Sequence, residues 1–444
     1  MPDSKQQSTA FTSARSTRQI SLFIGAILLS AALYLLPTSL PSKIGTGYIV
    51  VSSLMMGISL LVWLDKKTSP QHILALGIGL ILILLPMSAL TSNDTQRYLW
   101  DGAVFLGGID PYITAPNDAA VSELRATWPT PEEHAAYQTL YPPGALSLFA
   151  ISALAGPTYG FWLWKTLASL AAIFTLLIAY DLLKRRQALK HFALIGLSPL
   201  LLFETGAAGH IDIFNVLGIT AALWCLEMDK IKTAGIIIGI AATIKFLPSV
   251  IAGPLLFYLA PRKAMKLFFS ASLTWGFIYL TMFGFGYKPL GLIPTFFEKW
   301  RGGAPLYPVL EALKQSLNIS NKLFLWLIGL IAIASFGLSA IMAKKRYIFS
   351  AIILALATPL LLSPVLFPWY VMVFIPLLAL RPNATLLIAL CLAPLSYSVL
   401  DDWFAKGVWQ PQSWPSTVLL IGILIGLAID FMHNKKPKEN LGQI

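Results

Sequence analysis

Apolar runs long enough to cross a lipid bilayer recur along almost the whole chain, and they restrict it to a fold whose solvent is lipid. A spanning helix takes about 20 apolar residues, with a working range of about 17 to 25. The first three runs, 19–38, 47–64 and 72–90, meet that length singly. Further runs follow at 160–183, 191–203, 211–226, 234–244, 247–260, 267–285, 323–343, 347–362, 367–380, 384–400 and 416–432. Several are short, which is tolerated where a helix end is buried in protein or the helix is tilted. The expected fold is all-α, a polytopic transmembrane helix bundle of about 11–14 spans. It forms one unit over 19–433 between tails at 1–18 and 434–444.

Only 12% of the residues are charged, about half the share of an average soluble domain. A net charge of +12 would suggest nucleic acid in a soluble protein, but here the excess lies in short tracts between spans and reports topology instead. Lys5, Arg15 and Arg18 precede the first run, a second run follows closely, and no small-residue cleavage site stands out, so the start reads as an uncleaved anchor. With the N-terminus in the cytoplasm, Lys66-Lys67, Lys184-Arg185-Arg186, Lys230 with Lys232, Arg262-Lys263 with Lys266, Lys344-Lys345-Arg346 and Lys435-Lys436 all fall on that side. Both termini are therefore expected to be cytoplasmic. The long polar loop 91–159, the loop 286–322, the segment 401–415 and the turn 206–210 then share the external face. Cys225 and Cys391 both sit in apolar runs and read as packing residues, with no CxxC pair.

Charges at membrane depth are costly and mark paired or functional positions. Lys245 ends an apolar run and is followed by Phe246-Leu247-Pro248, so the helix should break there and leave the cation at the outer end of a short hairpin. It reads either as a lysine snorkelling to the interface or as an anion ligand. The loop 91–159 opens Asn93-Asp94-Thr95-Gln96-Arg97-Tyr98-Leu99-Trp100-Asp101-Gly102, and on a helix Asp94, Arg97 and Asp101 would share one face. Such a face suits a general base beside a cation, or equally an interfacial helix capped by Asp94.

Turns follow at Gly107-Gly108-Ile109-Asp110-Pro111 and Ala115-Pro116-Asn117-Asp118. A polar surface stretch holding Arg125, Glu132, Glu133 and His134 leads to Tyr141-Pro142-Pro143-Gly144. The apolar segment 145–155 is short for a span and reads as an interfacial or re-entrant helix.

Glu204-Thr205-Gly206-Ala207-Ala208-Gly209-His210-Ile211-Asp212 links two runs on the same face. For His210 and Asp212, metal ligation, helix capping and sugar or acceptor binding all remain open, although two ligands fall short of a metal site. Glu298, Lys299, Trp300 and Arg301 lie in the second external loop, and Ser363-Pro364-Val365-Leu366-Phe367-Pro368-Trp369-Tyr370 forms an aromatic, proline-broken turn that could equally be an interface belt. No Walker A, GxGxxG, HExxH or GxSxG sequence offers another anchor.

Asp94-x-x-Arg97-Tyr98-Leu99-Trp100-Asp101-Gly102, Gly108-x-Asp110-Pro111-Tyr112-x-x-Ala115-Pro116 and Tyr141-Pro142-Pro143 together resemble the first luminal loop of multi-spanning, mannosyltransferase-like enzymes of the GT-C superfamily. These are distantly similar to the first glycosylphosphatidylinositol mannosyltransferase. Gly209-His210-Ile211-Asp212 resembles their Gly-His-Asn-Asp, with Ile211 replacing Asn, and Ile244-Lys245-Phe246 and the segment 363–370 match in order.

The resemblance implies transfer of a hexose, mannose first, from a polyprenyl-phosphate donor to a hydroxyl of a glycan, lipid or protein acceptor, outside the cytoplasmic leaflet and with inversion. A bacterial inner membrane is the implied setting. Asp94 is the base by motif match. Lys245, Arg97 and Arg301 are the outer-face cations available to the donor phosphate. Asp101, His210, Asp212, Tyr141 and Trp369 are the candidates for holding sugar or acceptor. No cofactor or metal is signalled, and the partners are the lipid-linked donor, the acceptor and membrane lipids, with no nucleic acid. The competing classes are a transporter or flippase, which would place charges near the midplane in two matched halves, and a polymerase or ligase of lipid-linked glycans.

Overall fold

A computed structural model describes residues 4–65, 67–129, 135–289, 291 and 298–433, with side chains from Thr17 onward. Lys66, Glu132, Glu133, His134, Lys435 and Lys436 lie outside the described residues. The architecture is all-α, and among the described residues the only extended pairing is an isolated bridge from Gly302 and Gly303 to Val365. Among the described residues, seven helical stretches are long and apolar enough to span: Thr17–Ser39, Ile44–Leu64, Gly156–Arg185, Pro261–Gly284, Asn321–Lys344, Ala384–Lys406 and Ser413–Met432. Shorter apolar helices lie between them, making the chain a multi-pass integral membrane protein.

The helices that position the site are α1 (Ser4–Ala32), α2 (Ile44–Leu64), α3 (Pro70–Leu84), α4 (Asp94–Leu106), α5 (Pro143–Ala153), α6 (Gly156–Arg185), α7 (Asp212–Glu227) and α8 (Ile231–Ile244). Proline opens several of them, since a first-turn residue has no need of its N–H. The expected break after α8 is present: Lys245 adopts extended backbone, and Pro248 sits in the short 3-10 turn Leu247–Ile251 that starts the return.

The run 191–203 differs from a simple span. It breaks into Leu189–His191, Ala193–Gly196 and Pro199–Leu202, then widens into a π-helical segment, Phe203–Ala207. Pro199 cannot continue the preceding turn, and residues 192–213 are all buried, so their irregular backbone is shielded from lipid by protein. At 368–374 and 393–398 the chain is likewise 3-10, each stretch begun by or containing proline, and helix Val399–Lys406 carries on into the segment expected as external loop.

Within the loop 91–159, α4 forms where the spacing predicted a helix, and α5 has 11 residues, too few to cross. α5 lies against α4, with Gly102 so near Phe149 that a Cβ would come within 2.4 Å of its carbonyl.

Hydrogen bonds between sequence-distant helix ends sort into two sets. At one end Gln19 donates to Asp65 (3.1 Å), Arg186 pairs with Glu227 (2.7 Å), and Asp430 accepts from the backbone of Ala384 (2.8 Å). At the other, Thr46 N–H donates to Asp401 (3.0 Å), Asp110 accepts from Lys288 N–H (3.0 Å), and Lys245 pairs with Asp212. The described basic residues Lys67, Arg186 and Lys263 pair at the first set of ends.

Candidate active site

The turn between the π-helical segment and α7 places three ionisable groups together. Glu204 is fully buried and accepts from two tyrosines on different elements, Tyr48 of α2 (2.8 Å) and Tyr397 (2.6 Å). Two such donors are what a carboxylate needs to survive burial. His210 Nε2 lies 3.4 Å from Glu204 Oε2 and 3.4 Å from Thr91 Oγ1. Its other nitrogen, Nδ1, lies 3.5 Å from Asp94 Oδ2. The imidazole therefore stands between two carboxylates at contacts slightly long for hydrogen bonds. Trp369 stacks on it at 3.8 Å and 14°, and Phe367 stacks on Trp369 at 4.5 Å. The aromatic turn thus forms one wall of the site.

Asp212 opens α7 with both oxygens 2.8 Å from Lys245 Nζ. The same ammonium lies 4.3 Å over the Tyr370 ring. Trp369 and Tyr370 are consecutive: the first stacks on the imidazole that meets Asp94 and the second lies under the Lys245 ammonium, so one aromatic turn spans both groups. Asp94 is the first helical residue of α4, with Asn93 at the cap position and Tyr98 Oη donating to it at 3.4 Å. Exposure separates the two aspartates: the side chain of Asp94 is 33% exposed and that of Asp212 1%. Tyr141 packs edge-on against Tyr98 at 5.3 Å and so joins the floor beside Asp94.

Arg97 and Asp101 share the face that their spacing predicted, but they turn toward each other. Arg97 Nε donates to Asp101 at 2.8 Å and its Nη2 to the Tyr137 carbonyl at 2.9 Å, while Thr139 donates to the other Asp101 oxygen at 2.6 Å. Burial pushes the Asp101 carboxyl up, and Arg97 and Thr139 pull it back. This cluster ties α4 to 137–141. Arg301 stands apart, 3.5 Å from Glu311 and 5.3 Å over Tyr307. The adjacent Gly302 and Gly303 bridge to Val365, and with Thr91, Trp369 and Tyr397 they line a small cavity beside the site.

The sequence pattern alone assigns no role to Glu204, Tyr48, Tyr397 or Lys165. A lysine and a glutamate inside apolar runs were the available signal. The tyrosines had none, since a tyrosine near a helix end reads as interface belt. Among the described residues no group of three His, Cys, Asp or Glu side chains is arranged to hold a metal.

No curated protein matches the chain. Residues 139–318 match the sequence model of glycosyltransferase family 87. The matched stretch holds Glu204, His210, Asp212 and Lys245 and begins after Asp94. That match indicates a glycosyltransferase, and with the helix bundle it is consistent with a membrane enzyme of the GT-C type, as the loop motifs implied.

Proposed function

We propose that the protein transfers a hexose, mannose by the motif resemblance, from a polyprenyl-phosphate donor to an acceptor hydroxyl, at the bundle end opposite the basic clusters and with inversion. The observation that carries this reading is the placing of a partly exposed carboxylate, Asp94, and a cation, Lys245, at one end of an apolar bundle, on either side of a chain formed by His210, Trp369 and Tyr370. An inverting transfer needs both. Asp94 takes the acceptor's hydroxyl proton as that oxygen attacks the anomeric carbon. The bond from that carbon to the phosphate oxygen breaks on the opposite face, and its electron pair leaves with polyprenyl phosphate.

Asp212 is too buried to reach an acceptor, so its task is to hold Lys245. An ammonium has three N–H donors, two of which face Asp212 in this geometry, leaving one for a phosphate oxygen. Arg97, turned to Asp101, holds the loop instead of the phosphate, and Arg301 remains a second cation at the rim. Tyr141 and Trp369 offer rings for the sugar, while His210 supports Asp94 from behind. Charges gathered at one end favour this enzyme over a transporter, whose site would lie near the midplane.

The test uses membranes holding the protein, supplied with labelled polyprenyl-phosphate sugars. Label should move from one of these donors to acceptor in the wild type. In Asp94→Asn the rate should fall by about 10²–10⁴-fold, the usual worth of a general base, while the protein remains inserted. Wild-type transfer in that variant removes Asp94 as base. If no polyprenyl-phosphate sugar is consumed, the donor class is wrong.

A further inference from the structure

Behind the site stands a buried lysine that the proposed chemistry does not use. Lys165 of α6 is 0% exposed, and among the described residues no ion pair to it forms; its ammonium donates to the Gly206 and Ala207 carbonyls, the latter at 2.9 Å. The preceding residue, Trp164, is equally buried and donates its indole N–H to the Gly209 carbonyl at 2.7 Å. Around this turn the N–H groups of Ala208, Gly209 and His210 bond back to Phe203, Thr205 and Glu204. The carbonyls of Gly206, Ala207 and Gly209 come next, where a helix end runs out of following amides and carries partial negative charge. Two consecutive side chains of one long helix take all three.

The backbone is shaped to admit them. Gly209 has φ +77°, and a Cβ there would come within 3.1 Å of Lys165 Cδ and 3.5 Å of Trp164 Nε1. Glu204 precedes this turn, and His210 and Asp212 follow it.

We propose that Lys165, with Trp164, is a positioning residue: it locks the turn 206–209 so that Glu204 and His210 stay aligned with Asp94, and Asp212 with Lys245. The inference rests on the reading of that site as a glycosyl-transfer centre. A buried cation suits this task better than an apolar side chain, because only donors can hold carbonyls that have no amide partner. Its touch on the reaction is indirect, since displacing a reacting group by ~1 Å can cost about 10²-fold in rate.

The experiment compares Lys165→Met, Lys165→Gln and Trp164→Phe with the wild type, each purified in detergent, with polyprenyl-phosphate mannose as donor. Lys165→Met should lower kcat by about 10–100-fold and leave the donor KM within about threefold, since Lys245 still meets the phosphate. Lys165→Gln keeps an N–H donor and should recover part of that loss. Trp164→Phe, which removes one hydrogen bond and keeps the ring, should lower kcat in the same direction. Hydrogen–deuterium exchange supplies a readout independent of turnover: amides of 206–213 should exchange faster in Lys165→Met, and those later in α7 should not.

Wild-type kcat together with wild-type exchange in Lys165→Met overturns the proposal. If Lys165→Met loosens the whole protein, Trp164→Phe decides, and wild-type behaviour there also overturns it. If the wild type consumes no polyprenyl-phosphate mannose but Lys165→Met still speeds exchange only at 206–213, the clamp stands and the donor reading falls.

Discussion

Lys245 and Glu204 are both charged groups inside the bundle, yet their surroundings give them opposite prospects on substitution. Lys245 is partly open, with 20% of its side chain exposed, and is proposed to meet a phosphate. A hydrogen bond to a charged group contributes about 1.5–3 kcal/mol, so Lys245→Ala should weaken the donor roughly 10- to 100-fold, seen as a rise in donor KM without a matching rise for the acceptor. An unchanged donor KM would end the phosphate role. Glu204 is sealed, and both oxygens are engaged by tyrosines. Glu204→Gln leaves only one acceptor oxygen for two hydroxyls, and an orphaned buried donor costs about 1–3 kcal/mol. Its thermal midpoint in detergent should drop, and adding Tyr397→Phe should restore part of the loss. At this scale the sequence showed which charges were expensive but not how they pair. Arg97 and Asp101 at i and i+4 fit a catalytic face and an ion pair equally well, and the contacts that hold them together come from Tyr137 and Thr139, about 40 residues on.

The helices that shape the site owe their closeness to glycines. Gly102 of α4 abuts the Phe149 backbone of α5, and a Cβ on Gly144 would meet Thr243 Oγ1 at 2.4 Å, at the end of α8. Overpacking such a contact costs about 1–3 kcal/mol. Gly102→Ala should therefore push α4 off α5 and, because Asp94 begins α4, lower transfer as well as stability. Transfer at the wild-type rate with a lowered thermal midpoint would mean that α4 moves without carrying Asp94 out of place. The long helices were legible from hydropathy, because length and apolar content suffice to name a span. The broken segments at 193–207 and 368–374 were not, since an apolar run reads the same whether its backbone is α, 3-10 or π. Their prolines marked the breaks, but the π-helical segment that carries Glu204 follows from tertiary packing that no local pattern records.

For the whole molecule, the bundle is two-ended, and function depends on which end faces the cytoplasm. The candidate site lies at the end opposite the described basic residues, and the positive-inside rule then predicts that it faces outward. A lipid-phosphate sugar presented there could reach Lys245 from the bilayer, whereas a soluble nucleotide sugar made in the cytoplasm could not. Orientation can be read with an impermeant thiol reagent after Cys225 and Cys391 are both replaced by alanine. Asn117 and Gln315 are exposed in the two large polar loops, while Gln71 and Lys190 are exposed beside the basic residues Lys67 and Arg186. Asn117→Cys and Gln315→Cys should label in intact cells, and Gln71→Cys and Lys190→Cys only after the membrane is opened. The reverse pattern would turn the site toward the cytoplasm and remove the physical reason for a lipid-linked donor, whatever Asp94 and Lys245 contribute to the chemistry.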